Sequence, residues 1–147
     1  MSQKIPDNHL VQGPVDPAWA SQASAALPEG QGAAASFLGI IRRDAGDQEG
    51  TAVDAIDYSA YGPMAEEIFR NIEEQVLEQH DIGLCWIRHS VGMVKAGEAS
   101  MLVFVASAHR AAAFDALRAA VEAVKAEAPV WKRELFNDGS HRWVDAL

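Results

Sequence analysis

With one cysteine in 147 residues, Cys85, the chain has neither an intramolecular disulfide framework nor a cysteine-based zinc motif. Cys85 lies in an apolar run, where a thiol packs as a small hydrophobe. Basic residues are scarce as well. Twelve lysines and arginines against 21 aspartates and glutamates leave a net charge of −9, which argues against a nucleic-acid binder because such a protein needs a basic footprint. No stretch approaches the length of a membrane span, and the first residues lack the basic-then-apolar pattern of a secretory signal. The simplest expectation is a cytoplasmic protein with no membrane partner. The five histidines show no helical i, i+4 pairing that would suggest a metal site. Repeats, low-complexity tracts and domain linkers are missing too.

What remains is 49% hydrophobic, enough for one packed domain over residues 1–147, with residues 1–30 forming an N-terminal arm and a short helix. Asp16-Pro17 reads as a helix cap and first position, with the helix running through Trp19 to about Ala26. Ala33 to Ile41 and Thr51 to Ala60 read as two strands of a long hairpin around the polar loop from Asp44 to Gly50. Pro63 to His80 is an amphipathic helix, with Met64, Ile68, Ile72 and Val76 inward, backed by Ala65 and Phe69, and its glutamates on the solvent side. Leu84 to Val91 and the unbroken run from Met101 to Ala106 are two more strands. An alanine-rich helix follows, its expected apolar stripe being Phe114, Leu117, Val121 and Val124. Pro129 ends it, and Asn137-Asp138-Gly139-Ser140 signals a terminal hairpin. The order predicts an α+β fold with a mainly antiparallel sheet and packed helices.

The chemistry gathers around the last helix. Ser107 is placed to cap its start, beside His109 and Arg110, where unpaired N–H groups and the helix dipole already favour an anion. Lys125 falls on the edge of the apolar stripe, so its stem can lie on the core with its ammonium at a pocket mouth. Lys132 follows the proline and can return close to it. Each alone has an ordinary reading, as a cap or a solvated lysine; four cationic groups around one helix point to a small anionic ligand. Two neighbouring lysines, partly buried, depress each other's pKa and gain use as nucleophile, acid or base.

These residues carry a resemblance. S-A-H-R-A-A-A-F and K-A-E-A-P-V-W-K-R-E resemble the large, catalytic subunit of molybdopterin synthase, the MoaE family. The likeness extends upstream through G-A-A-A-S-F-L-G-I-I-R from Gly32, D-Y-S-A-Y-G-P-M-A from Asp57 and H-S-V-G-M-V-K-A-G-E from His89. Downstream it reaches G-S-H-R-W-V from Gly139. The resemblance implies an α/β-hammerhead-like fold and a homodimer at the core of a heterotetramer. It also implies sulfur transfer to cyclic pyranopterin monophosphate, from the thiocarboxylate on the Gly-Gly tail of a small ubiquitin-like carrier subunit. No metal or other cofactor is implied for the transfer. Lys125 and Lys132 are then the catalytic residues, and Arg42, His109, Arg110, Arg133 and Glu134 bind substrate, Glu134 by orienting a lysine. The chain departs from the family pattern at Ser59, where an acidic residue is common, at Ile40, where some members carry lysine, and in stopping at Leu147. Two non-enzymatic alternatives are a phosphate-ligand module and a scaffold for the ubiquitin-like tail. Simple anion binding would need only one of the two lysines.

Overall fold

A computed structural model describes residues 4–144. Its elements are β1 (Leu10–Gln12), α1 (Ala18–Ala25), β2 (Ala33–Ile40), β3 (Val53–Ala60), α2 (Gly62–Gln79), β4 (Leu84–Lys95), β5 (Ala99–Ser107), α3 (Arg110–Glu127), β6 (Val130–Phe136) and β7 (His141–Val144). Among the described residues, no helix is long and apolar enough to cross a membrane.

The apolar run expected as a buried strand is the centre of β5, and every residue of that strand is buried. Side chains alternate across a sheet, so both faces of β5 must be covered. Met101, Val103 and Val105 face the main core beneath α2 and α3, while Leu102, Phe104 and Ala106 face smaller clusters built on Trp19 and Ala23 of α1. Its edges are covered as well, by β2 on one side and β4 on the other, both antiparallel. The sheet continues β2-β5-β4-β3-β6-β7, and β1 lies parallel beside β4. The mainly antiparallel α+β expectation therefore holds. The expected hairpin does not: β2 pairs only with β5, and β3 joins β4 and β6. Both strands are apolar enough to seek interior neighbours, and the polar segment between them is long enough to cross rather than reverse. Strand β4 runs past the predicted end at Val91, through Gly92 at φ 81°, to pair with β3.

Two helix faces also differ from expectation. On α3 the buried stripe is Ala113, Ala116, Ala120 and Val124, while Phe114 is 65% exposed. Small side chains let the helix lie close on the alanines of β2, so size rather than hydrophobicity selects the inner face. Ser107 is the buried last residue of β5, not the helix cap; its hydroxyl donates to the His109 carbonyl, and His109 takes the cap position without a side-chain bond. On α2 the inner face is Ala65, Phe69, Ile72 and Val76, with Met64 exposed.

Nor are all the α2 glutamates solvated. His9, at the end of the N-terminal arm, sits between two of them, with Nδ1 2.6 Å from Glu66 Oε2 and Nε2 2.7 Å from Glu73 Oε1. The backbone N–H groups of His9 and Leu10 donate to Glu66, and Ile87 N–H donates to the other oxygen of Glu73. Carboxylates on both ring nitrogens require both to carry protons, so His9 is an imidazolium clasp between β1, α2 and β4. Its pKa is raised, chiefly by the hydrogen bond to Glu73, against the opposing effect of burial. Burial alone would raise Glu66; hydrogen bonds from Leu10 and His9 outweigh it and hold that carboxyl low. The His9 ring stacks on Phe69 at 5.9 Å, and Phe69 stacks in turn on His89 at 6.1 Å.

The clasp's contribution is complete below the imidazole's ordinary value of 6.5 and is lost as pH rises through the raised folded value. On the acid side it is lost as pH falls from 4.5 through the lowered value of Glu66. His9→Ala should cost about 2–4 kcal/mol at pH about 6, and the gap to the native protein should narrow by pH about 9. Thermal melts of both proteins across that range test this. A gap independent of pH would mean the clasp is not ionic.

Candidate active site

Proline after α3 breaks the helix at Ala128, and β6 turns back beneath it to pair with β3. That reversal brings Lys132 back toward Lys125, and both line one cavity of about 460 Å³. The volume is in the range of small-molecule sites. Its wall includes Ile40 at the end of β2, Arg42 and Asp44 after it, Tyr58 on β3, His89 on β4 and Met101 on β5, with Glu134 beside Lys132 on β6.

Alternation along β6 sorts the predicted residues. Lys132 pairs in register with Tyr58, and Glu134 with Ile56, so all four point to the cavity side. Arg133 lies between them and points to the other face, where its Nη2 donates to Asp57 at 3.0 Å and its guanidinium lies over Trp143. The structure therefore separates Arg133 from the cavity it was expected to serve. Glu134 lines the cavity but does not hold a lysine; its Oε1 accepts from Arg142 Nη2 at 2.8 Å. Arg142 also reaches Asp47, 3.1 Å away. Arg42 stands at the rim, largely exposed, with Nη2 3.2 Å from Asp44.

His109 and Arg110 are exposed at the far end of α3. Fifteen residues of helix, about 22 Å, separate Arg110 from Lys125, so one copy of the chain does not bring them to the same ligand. Of the departures from the family pattern, Ile40 is on the cavity wall, and Ser59 is exposed opposite Trp131, on the face away from it. Leu147 lies outside the described residues.

Lys125 stands exposed at the cavity mouth. Its pKa is lowered, first by desolvation and then by the charge of Lys132, with Glu122 opposing. Neither lysine is in an ion pair among the described residues. Two ammonium groups converge unpaired, and the wall's own carboxylates are engaged elsewhere, Asp44 by Arg42 and Glu134 by Arg142. The mouth therefore suits an anion, and Lys125 is shifted toward the form that can take a proton.

Sequence reasoning missed the cavity floor. Tyr58 Oη donates to Ser100 Oγ at 3.2 Å, and the Tyr58 ring meets His89 edge-on at 5.1 Å. Burial raises the Tyr58 pKa, so the phenol keeps its proton. A signal for His89 was available: period two along Leu84–Val91 places it on the same face as Cys85 and Ile87, toward the helices. Cys85 is the buried thiol expected, pushed up to about 12 by desolvation.

The family described as MoaE protein matches residues 10–127. The molybdopterin synthase catalytic subunit of Bos taurus is 37% identical over 112 residues, 76% of this chain and 58% of the bovine protein. The chain thus spans less than two-thirds of that relative's length. Molybdopterin synthase from Staphylococcus aureus superposes with a TM-score of 0.82 at 27% identity, covering 96% of this chain and 98% of that one. A complex of subunits 1 and 2 of molybdopterin-converting factor from Helicobacter pylori gives 0.73 at 22% identity, covering 92% of this chain and 88% of its own, a likeness of fold alone.

The electrostatics make one prediction. Lys132→Ala should move the Lys125 pKa part of the way back toward 10.5, and not all of it, since desolvation is the larger cause. NMR titration of the Lys125 side chain would read the shift. An unmoved pKa would mean that the two ammonium groups do not sense each other.

Proposed function

The chain belongs to the MoaE family, and from that premise we propose that it is the catalytic subunit of a molybdopterin synthase. Its reaction is sulfur transfer to cyclic pyranopterin monophosphate, in molybdenum-cofactor biosynthesis. The sulfur donor is the C-terminal thiocarboxylate of a small ubiquitin-like carrier. The observation that supports this best is the meeting of Lys125 and Lys132, from two different elements, at the mouth of one cavity. A phosphate module would need one such cation, and a tail-binding scaffold would need no lysine with a depressed pKa.

Chemically, the carrier's sulfur displaces an oxygen substituent from a carbon of the pterin side ring, that C–O bond breaking as the C–S bond forms. Water then cleaves the acyl C–S bond, leaving the sulfur on the product and a carboxylate on the carrier, and a second thiocarboxylate repeats the exchange at the neighbouring carbon to complete the dithiolene. The thiocarboxylate and the phosphate are both anions, and Lys125, Lys132 and Arg42 give them a cationic mouth. A lysine with lowered pKa moves the proton, and its charged neighbour stabilises the oxyanion of the acyl intermediate. The threaded tail is flexible, and ordering it costs about 1–2 kcal/mol per residue, which charge-assisted contacts at the mouth offset.

His109 and Arg110 keep their substrate-binding role only if a second copy presents its helix start to the first copy's cavity, which fits a homodimer carrying one small subunit at each end. Work in the cytoplasm fits the same reading. The H. pylori complex is an assembly of two unlike subunits, as this partnership would be.

Lys125→Ala should abolish dithiolene formation in single-turnover assays while leaving the melting temperature within a few degrees, because alanine suits a helix. Near-native turnover by the folded variant would remove the assignment. Mixing Lys125→Ala with Arg110→Ala protein should restore part of the activity, since mixed dimers hold one site with both groups intact. Failure of mixed dimers to recover any turnover would place Arg110 outside the shared site.

A further inference from the structure

The cavity has two tiers. Its mouth is cationic, and its floor, formed by His89, Tyr58 and Ser100, is neutral and polar. Transfer chemistry at the mouth gives the floor no part. His89 is only 2% exposed. Its Nδ1 lies 2.8 Å from the Ser90 carbonyl, which can only accept, so Nδ1 carries the proton and Nε2 the lone pair. Nε2 has no partner among the described residues, although the ring lines the cavity. The Tyr58 and Phe69 rings fix its plane. Ser100 accepts from Tyr58 and keeps its own proton to donate.

We propose that His89 is a substrate-reading residue, whose Nε2 accepts an N–H of the bound heterocycle beside the donating Ser100 hydroxyl. The ligand, a pterin, is taken from the function proposed above. A pterin carries N–H donors next to a carbonyl on its pyrimidinone edge, and an acceptor beside a donor is the complement of that edge. Packing alone explains the ring and the Nδ1 bond. It does not explain an acceptor that opens onto the cavity and bonds to nothing in the protein among the described residues. A phosphate or a carboxylate tail would be met at the mouth and would leave this acceptor idle. Burial, reinforced by the charge of Lys125, pushes the His89 pKa down to about 4, so the ring stays neutral and able to accept.

Three variants separate reading from packing. In His89→Asn the amide nitrogen replaces Nδ1 and keeps the Ser90 bond, but the side chain ends short of Nε2. In His89→Gln an amide oxygen reaches the Nε2 position. In His89→Phe the stacked ring survives without either nitrogen. Calorimetry with cyclic pyranopterin monophosphate, and separately with inorganic phosphate, should show about tenfold weaker pterin binding for Asn and Phe. Phosphate binding should be unchanged, and Gln should recover part of the pterin affinity. Native pterin affinity in Asn, or equal losses for pterin and phosphate, would overturn the assignment. The unaltered protein gives a second readout that no folding defect can obscure. The imidazole nitrogen NMR signal of Nε2 should move upfield when pterin binds, as a lone pair does on accepting a hydrogen bond, and a static signal at saturation would sink the idea. If the native protein does not bind the pterin at all, the function itself falls. If it binds while Asn is indifferent and the signal is static, only the His89 assignment falls.

Discussion

Strand β5 has no solvent on either face or along either edge, and the rest of the molecule is arranged to keep it so. Fully burying side chains of its kind contributes about 1.5–3 kcal/mol each, so leaving one face open would forfeit several such terms. Covering one face requires α2 and α3, and covering the other requires α1 and the arm before it. The same strand fixes the functional parts. Near its start, Ser100 and Met101 lie in the cavity wall, and its last residue, Ser107, delivers the chain to the start of α3. The cationic helix start and the lysine cavity are therefore held at opposite ends of one rigid helix on one rigid strand.

Within an acidic protein, the important contrast lies among the cations. Arg42, Arg43, Arg133 and Arg142 each have a carboxylate within 3.2 Å. Lys125 and Lys132 have none among the described residues, and the two carboxylates on their own wall are already engaged, Asp44 by Arg42 and Glu134 by Arg142. Exposed pairs such as Arg42–Asp44 are weak and can be exchanged for a ligand at little cost. Desolvation and the neighbouring ammonium of Lys132 disfavour the charged form of Lys125.

Much of this was legible in the residues, for reasons that can be named. Pro129 had to end a helix, Asn137–Ser140 had to turn, and an apolar run as long as that of β5 had to be interior. That Lys132 returns close to Lys125 also followed from spacing across a proline, and both line one cavity. The failures have physical causes. Hydrophobicity picked Phe114 for the inside of α3, where close approach to β2 selected alanine by size. Adjacent strands in sequence were taken for neighbours in space, although β5 claims the edge of β2. Arg133 was grouped with Lys132, though period two on a strand puts them on opposite faces. Glu66 and Glu73 fit a solvated stripe until the distant His9 is placed against them, which no local pattern reveals. The distance from Arg110 to Lys125 could have been counted from the helix length.

The stack of His9, Phe69 and His89 joins the beginning of the chain to the cavity floor through three rings and no flexible link. The backbone adds a second tie, His89 N–H donating to the His9 carbonyl and Gly13 N–H to the Val91 carbonyl, each at 2.8 Å. The amino-terminal arm is thus part of the foundation on which the ligand pocket rests. An affinity tag or fusion pulling on the residues just before His9 would bear on the tilt of the His89 ring. On the role proposed for His89, its effect would surface in how the protein discriminates among ligands before any loss of fold.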